Sequence, residues 1–160
     1  MELKVEVRMA ADGKSIEGYA SVFNSLSHDL GGFREQIKPG AFTRALSESP
    51  DILCVVAHDP DKLLGRTASG TCTVEQDEMG LKFRCSMPNT SLGRDMTEMI
   101  QRRDITECSF KFSLDPDDDD ADAWDERDGY VRRTVNSVAR LYDVTVCRAG
   151  AYSATSVKVK

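Results

Sequence analysis

Two side chains that together can carry out acyl transfer stand far apart in this chain, His58 and Ser109. The sequence has only two histidines, so groups able to act as a base near neutral pH are few. His28 lies in the polar loop Ser25–Gly32, SLSHDLGG, where solvent exposure is expected. His58 instead ends the apolar run Asp51–His58, DILCVVAH, and a histidine there must be hydrogen-bonded or used. A serine hydroxyl is a weak nucleophile at neutral pH and needs such a base beside it. An acid must then orient the imidazole. Asp143, in RLYDVTV, is the first candidate, with Asp59 and Glu107 as rivals. Asp59 adjoins His58 in sequence, which on an extended chain aims its side chain elsewhere. Glu107 shares the face of Ser109.

The element that must hold the serine is Asp104–Leu114, DITECSFKFSL. Its period of two puts Glu107, Ser109, Lys111 and Ser113 on one face. Thr106, Cys108, Phe110, Phe112 and Leu114 fall on the other, which anchors the strand in a core. Serine on the polar face of a strand is also an ordinary finding, and Cys108 on the apolar face reads as a core thiol rather than a rival nucleophile. Around this strand the chain is rich in alternating segments. Glu2–Met9 and Ser15–Asn24 flank a turn at Ala11–Lys14 and read as a hairpin. Phe33–Ile37 is a short strand, Pro39-Gly40 breaks the chain, and Ala41–Ser47 has the apolar spacing of a short helix. Asp51–His58 reads as a buried strand stopped by Asp59-Pro60-Asp61. Leu64–Thr67 leads into another strand, and Thr71–Glu75 and Gly80–Met87 flank a second hairpin turn. Ser91–Arg103 is the best helix, with Thr90 or Ser91 as its cap. Tyr130–Ala139, Leu141–Cys147 and Ala151–Val159 are further strands. The expected class is mainly β (α+β): a single domain over residues 1–160, as a closed or nearly closed β-barrel with a few surrounding helices, which hides strand edges economically.

The chain has 160 residues and a formal charge of −6. The segment 115–128 alone contributes −8 (eight Asp and one Glu against one Arg), so the rest carries +2. This acidic segment is expected to be a mobile loop. Asp115, Asp117, Asp119 and Glu126 match calcium-loop positions, but the sharp turn at position 6 holds Asp120 where glycine is needed. No basic stripe interleaved with aromatics suggests nucleic acid. No apolar run reaches the ~20 residues of a membrane span, and the charged N-terminus reads as a strand rather than a signal peptide. Five scattered cysteines without a CxxC pair suggest reduced thiols, and no zinc-ligand spacing is present.

Seven short stretches, in order, resemble the phage prohead protease family, the capsid-maturation serine proteases of tailed bacteriophages. They are GYASVFN (Gly18–Asn24), PGAF (Pro39–Phe42), AHD (Ala57–Asp59), LGRT (Leu64–Thr67), DEMGLKF (Asp77–Phe83), MIQRRDI ending at Ile105, and SFKF (Ser109–Phe112). The resemblance implies a fold like that of the herpesvirus assembly protease, a barrel with helices around it. It implies Ser109 as nucleophile, His58 as general base and acid, and, for want of a histidine after Ser109, an acid as third member, where the family pattern matches Asp143. Arg148 then becomes a candidate for the oxyanion region. The chain departs from the pattern at Cys108, at Lys111 beside the nucleophile, and at Gly150-Ala151-Tyr152. The implied substrates are the scaffold segment of the major capsid protein and the protease itself. The setting is the immature capsid in the host cytoplasm, the assembly a homodimer or larger, and no cofactor, metal, nucleic acid or membrane is required. Two other classes fit the same residues: a catalytically inactive relative that acts in capsid assembly, and a small β-barrel binding module.

Overall fold

The expected alternation is realised as sheets, with two helices among the described residues. The computed structural model describes residues 2–4, 6–150 and 156–158. In chain order the elements are β1 (Glu2–Lys4), β2 (Val7–Met9), β3 (Ser15–Val22), β4 (Phe33–Ile37), α1 (Thr43–Glu48), β5 (Leu53–Val56), β6 (Asp59–Arg66) and β7 (Cys72–Gln76). They continue with β8 (Gly80–Ser86), α2 (Ser91–Gln101), β9 (Glu107–Ser113), β10 (Asp122–Arg127), β11 (Tyr130–Val135), β12 (Arg140–Cys147) and β13 (Ser156–Lys158). None of the described helices is long and apolar enough to cross a membrane.

Two four-stranded sheets, in the orders β6-β5-β12-β9 and β2-β3-β8-β7, share one apolar core. The first contributes Cys54, Cys108, Phe110, Val144 and Val146, and the second Val7, Ile16, Leu81 and Phe83. From α1 and α2 come Ala45, Met96 and Ile100. The sheets meet along one seam, where Glu6 bridges Glu107 and the Val7 N–H donates to Thr106 O at 2.9 Å. On the far side the turn after β6 links them, with Ser86 N–H donating to Thr71 O and Arg66 N–H to Thr71 Oγ1, each at 2.9 Å. These links bring the sheets round a common interior, but no continuous ladder closes a barrel among the described residues. A three-stranded sheet, β10-β11-β4, and the β1–β13 pair complete the ladders.

Several boundaries differ from the sequence reading. The first strand splits, because β1 pairs with β13 while β2 pairs with β3. Asp59-Pro60-Asp61 opens β6 rather than stopping a strand. β6 is a sheet edge, where proline's missing N–H leaves no ladder bond unmade. The acidic segment is not all loop, since its second half is β10. There Asp125 pairs with Arg132 on β11 (Arg132 Nε to Oδ1 2.9 Å), and Asp122 takes Arg133 Nε at 2.8 Å. Asp115, first of the calcium-loop positions, is held by Arg44 at 2.9 Å. Helix α2 ends two residues early, and Thr90 is its cap, accepting the Gly93 N–H at 3.0 Å. Of the expected last strand, Ser156–Lys158 is β13; residues 151–155 and Val159 lie outside the described residues.

Candidate active site

Strand β9 sorts its side chains as its alternation predicts. Cys108 and Phe110 are in the core, while Ser109 and Lys111 face the other way. The Cys108 thiol donates to Tyr19 O at 3.0 Å, and burial pushes its acidity far from the thiolate range. A thiol so placed is no nucleophile for this face.

Three adjacent strands set the site. β12 runs parallel to β5 on one side and antiparallel to β9 on the other. One row across them is Val55, Thr145 and Ser109; the next is Leu53, Asp143 and Lys111. Asp143 reaches this face only through an irregularity. Leu141 pairs with Phe112 and Asp143 with Lys111, so Tyr142 is an extra residue, a β-bulge. Leu141, Val144 and Val146 all point into the core. Without the extra residue Asp143 would share the face of Leu141; the bulge re-aims it.

His58 is delivered from above the rows by a tight hairpin. Val56 pairs with Asp59, so β5 and β6 are joined by Ala57 and His58 alone. Both have positive φ, 52° and 57°, as the two-residue turns that match strand twist require. Histidine enters this left-handed region more readily than most residues, whereas alanine pays for its Cβ. Three bonds hold the turn down on β12. Ala57 N–H donates to Val146 O (3.0 Å) and His58 N–H to Thr145 Oγ1 (2.8 Å), while Thr145 Oγ1 donates to Val55 O (3.2 Å). Expected at the end of a buried strand, His58 is instead a half-exposed turn residue above the sheet.

The imidazole then meets Asp143, with Nδ1 and Oδ1 2.8 Å apart. Asp143 is 5 % exposed, and the His58 side chain 40 %. An ionised carboxylate only accepts, so Nδ1 carries the hydrogen and the neutral ring keeps its lone pair on Nε2. That leaves an oriented base with its free nitrogen away from Asp143. Ser109 is the cross-strand neighbour of Thr145, the residue that anchors His58. It is 7 % exposed. Among the described residues no hydrogen bond reaches its Oγ, including none from His58.

The rival acids point elsewhere. Glu107 accepts the Gly150 N–H at 2.6 Å, and Asp59 accepts the Asp61 N–H at 2.9 Å. Arg148 is exposed, one residue beyond Cys147, the partner of Glu107. His28 is exposed in its loop between β3 and β4. Thr145 and Tyr142 escaped the sequence reading, because neither a hydroxyl under a turn nor a bulge leaves a mark on residue type. A cleft of about 340 Å³ opens beside the His58–Asp143 pair, lined among others by Leu53, Pro60, Lys111 and Arg140.

Spacing suggested no metal ligands, yet the fold gathers Cys54, Cys72 and Cys85, with sulfurs within 4.8 Å of one another and buried. They come from β5, β7 and β8 and pack in the shared core. A Cβ on Gly65 would lie 2.6 Å from Cys85 Sγ, so the glycine makes room for that sulfur. The group offers three donors and, among the described residues, no fourth, one short of the tetrahedral set of structural zinc.

A family model described as Caudovirus prohead serine protease matches residues 1–160, the whole chain. No curated protein and no solved structure matches it.

Proposed function

We propose, because the chain belongs to the caudovirus prohead serine protease family, that it is a serine endopeptidase of capsid maturation working through Ser109, His58 and Asp143. Ser109 Oγ attacks the scissile carbonyl carbon as His58 Nε2 takes its proton. Asp143 holds Nδ1–H and stabilises the imidazolium that forms. The tetrahedral intermediate collapses as His58 returns the proton to the leaving amine, which leaves an acyl-Ser109 ester. Water, deprotonated by His58, then attacks the ester carbonyl carbon, and as the C–O bond to Ser109 breaks His58 returns that proton to Ser109 Oγ, which frees the acid and restores the hydroxyl. Backbone N–H groups near Ser109 are the natural donors to the oxyanion, with Arg148 as a further candidate. The substrates are the scaffold segment of the major capsid protein and the chain itself, inside the immature shell in the host cytoplasm. The working assembly is a homodimer or larger.

The observation that supports this most is the 2.8 Å contact between His58 Nδ1 and Asp143 Oδ1, one strand away from Ser109. A histidine held by a carboxylate on a face it shares with a serine is the general-base arrangement acyl transfer needs. The unmade Ser109–His58 hydrogen bond favours a second reading, an inactive assembly partner, although such bonds commonly tighten only once substrate is bound. Co-expression with a major capsid protein from a tailed phage that carries this chain separates the two. Intact mass should show the capsid protein shortened by wild type and whole with Ser109→Ala. Shortening by both excludes Ser109 as nucleophile; shortening by neither favours the assembly partner.

A further inference from the structure

We propose that the cleft beside His58 and Asp143 receives an acidic side chain of the substrate peptide, recognised by Lys111 and Arg140. This rests on the protease reading for its role, but the binding chemistry stands on the cleft itself.

The charges around the cleft are unevenly satisfied. Its lining holds two carboxylates and, His58 aside, three cations. Asp143 is engaged by His58. Asp51 accepts Arg66 Nε at 2.7 Å and the Ala68 N–H at 3.0 Å, so Arg66 is paired as well. Lys111 and Arg140 remain, and among the described residues neither has an ion-pair partner. Paired charges cancel at short range, and two cations are left facing the opening.

Their positions suit a peptide held at Ser109. Lys111 follows Ser109 by two residues on the same face of β9, roughly 7 Å along the strand. That is the reach of a side chain close to the scissile bond of an extended substrate. Arg140 pairs with Ser113, farther along the same side. Its guanidinium lies 4.7 Å from the centre of the Tyr142 ring, and the Tyr142 hydroxyl is 3.2 Å from Ser113 Oγ. The ring is thus pinned at its tip and supports the cation on its face, so Arg140 is oriented before any ligand arrives. The bulge that turns Asp143 toward His58 also supplies Tyr142, so one extra residue builds both the base's partner and the cation's support. Leu53 and Pro60 give the cleft apolar wall, which suits the methylenes of glutamate. A basic side chain would meet two unpaired cations instead, and a neutral one would leave both without an anionic partner.

The test uses fluorescein-labelled peptides of Ala, Ser and Gly in which one position at a time is Glu, Gln or Lys. Binding is read by anisotropy on the Ser109→Ala chain, which needs no turnover, and cleavage by mass spectrometry on the wild type. Glu at one position should bind about tenfold more tightly than Gln, the scale of one charge-assisted hydrogen bond. The Lys111→Glu/Arg140→Glu double variant, on the same background, should invert the order in favour of Lys. Equal binding of Glu and Gln, or an order unmoved by the charge reversal, overturns the proposal. Cleavage of these peptides without acidic preference overturns it too and leaves the protease reading intact. Discriminating binding with no cleavage in the wild type overturns the protease reading and leaves the acidic-side-chain site standing.

Discussion

Thr145→Val tests whether His58 is held by the sheet beneath it. The Thr145 hydroxyl is fully buried, accepts the His58 N–H at 2.8 Å and donates to Val55 O at 3.2 Å. Valine keeps the shape and the β-branch but has no hydroxyl. The His58 N–H would then face a methyl group and cost about 1–3 kcal/mol if it stays dry, and the bond to Val55 O is worth about 0.5–1.5 kcal/mol. A loss of about 1.5–4.5 kcal/mol follows, a sizeable part of the ~5–15 kcal/mol that holds a domain together. The turn has little else to fall back on, since Ala57 and His58 are both left-handed and what remains toward β12 is the Ala57 N–H bond to Val146 O and the side-chain contact of His58 with Asp143. Urea denaturation should show the loss with an unchanged m-value, while Thr145→Ser should recover most of it. Amide exchange at His58 should speed up in Thr145→Val and stay slow in Thr145→Ser. A loss below about 0.5 kcal/mol with His58 exchange unchanged would refute the argument, because the turn would then be held by other contacts.

Two further outcomes follow from the same geometry. Asp143→Asn keeps the shape at Nδ1 but no longer forces the hydrogen onto that nitrogen. Turnover of a cleaved peptide should fall by on the order of 10⁴ with the urea midpoint little changed; a fall of less than about tenfold removes Asp143 as the orienting group. Stability should also decline in acid. Arg66 holds the Asp51 carboxyl below its usual range, and the Lys14 and Ser15 N–H groups do the same for Asp12. The folded state therefore favours the ionised forms, so their contribution is complete above the unfolded value of about 3.9 and is lost as pH falls through the lower folded values. Urea midpoints should hold down to about pH 5 and drop below about pH 4, less steeply in Asp51→Asn; equal slopes would exclude Asp51 as a source.

The face of Ser109 was readable because β9 alternates without interruption, and His58 stood out because the chain has so few histidines. What lay between them was not readable. Ala57-His58 contains neither glycine nor asparagine, the residues that announce a two-residue turn, and the apolar run before it continues the look of a strand. Asp143 was one of three acids, and choosing among them depended on a parallel pairing of β5 with β12 that no local pattern encodes. The bulge at Tyr142 shifts the phase of β12 within a segment that otherwise reads as simple alternation. Strand β10 was hidden for another reason. Its charges, which read as a solvated loop, are matched by Arg132 and Arg133 across the hairpin.

That parallel pairing bears on when the chain becomes competent. His58 and Asp143 are 85 residues apart, and the central strand of the three is the last to be synthesised. A nascent chain that has completed β5 and β9 already holds His58 and Ser109, but it has nothing to lay them against. Neither the carboxylate nor the hydroxyl that grips the turn exists until β12 emerges from the ribosome. Long-range pairings of this kind also form slowly, since the ends of a long loop must first be brought together. The order of synthesis thus acts as a delay: the pairing of His58 with Asp143 waits until β12 has followed β5 and β9 out of the ribosome.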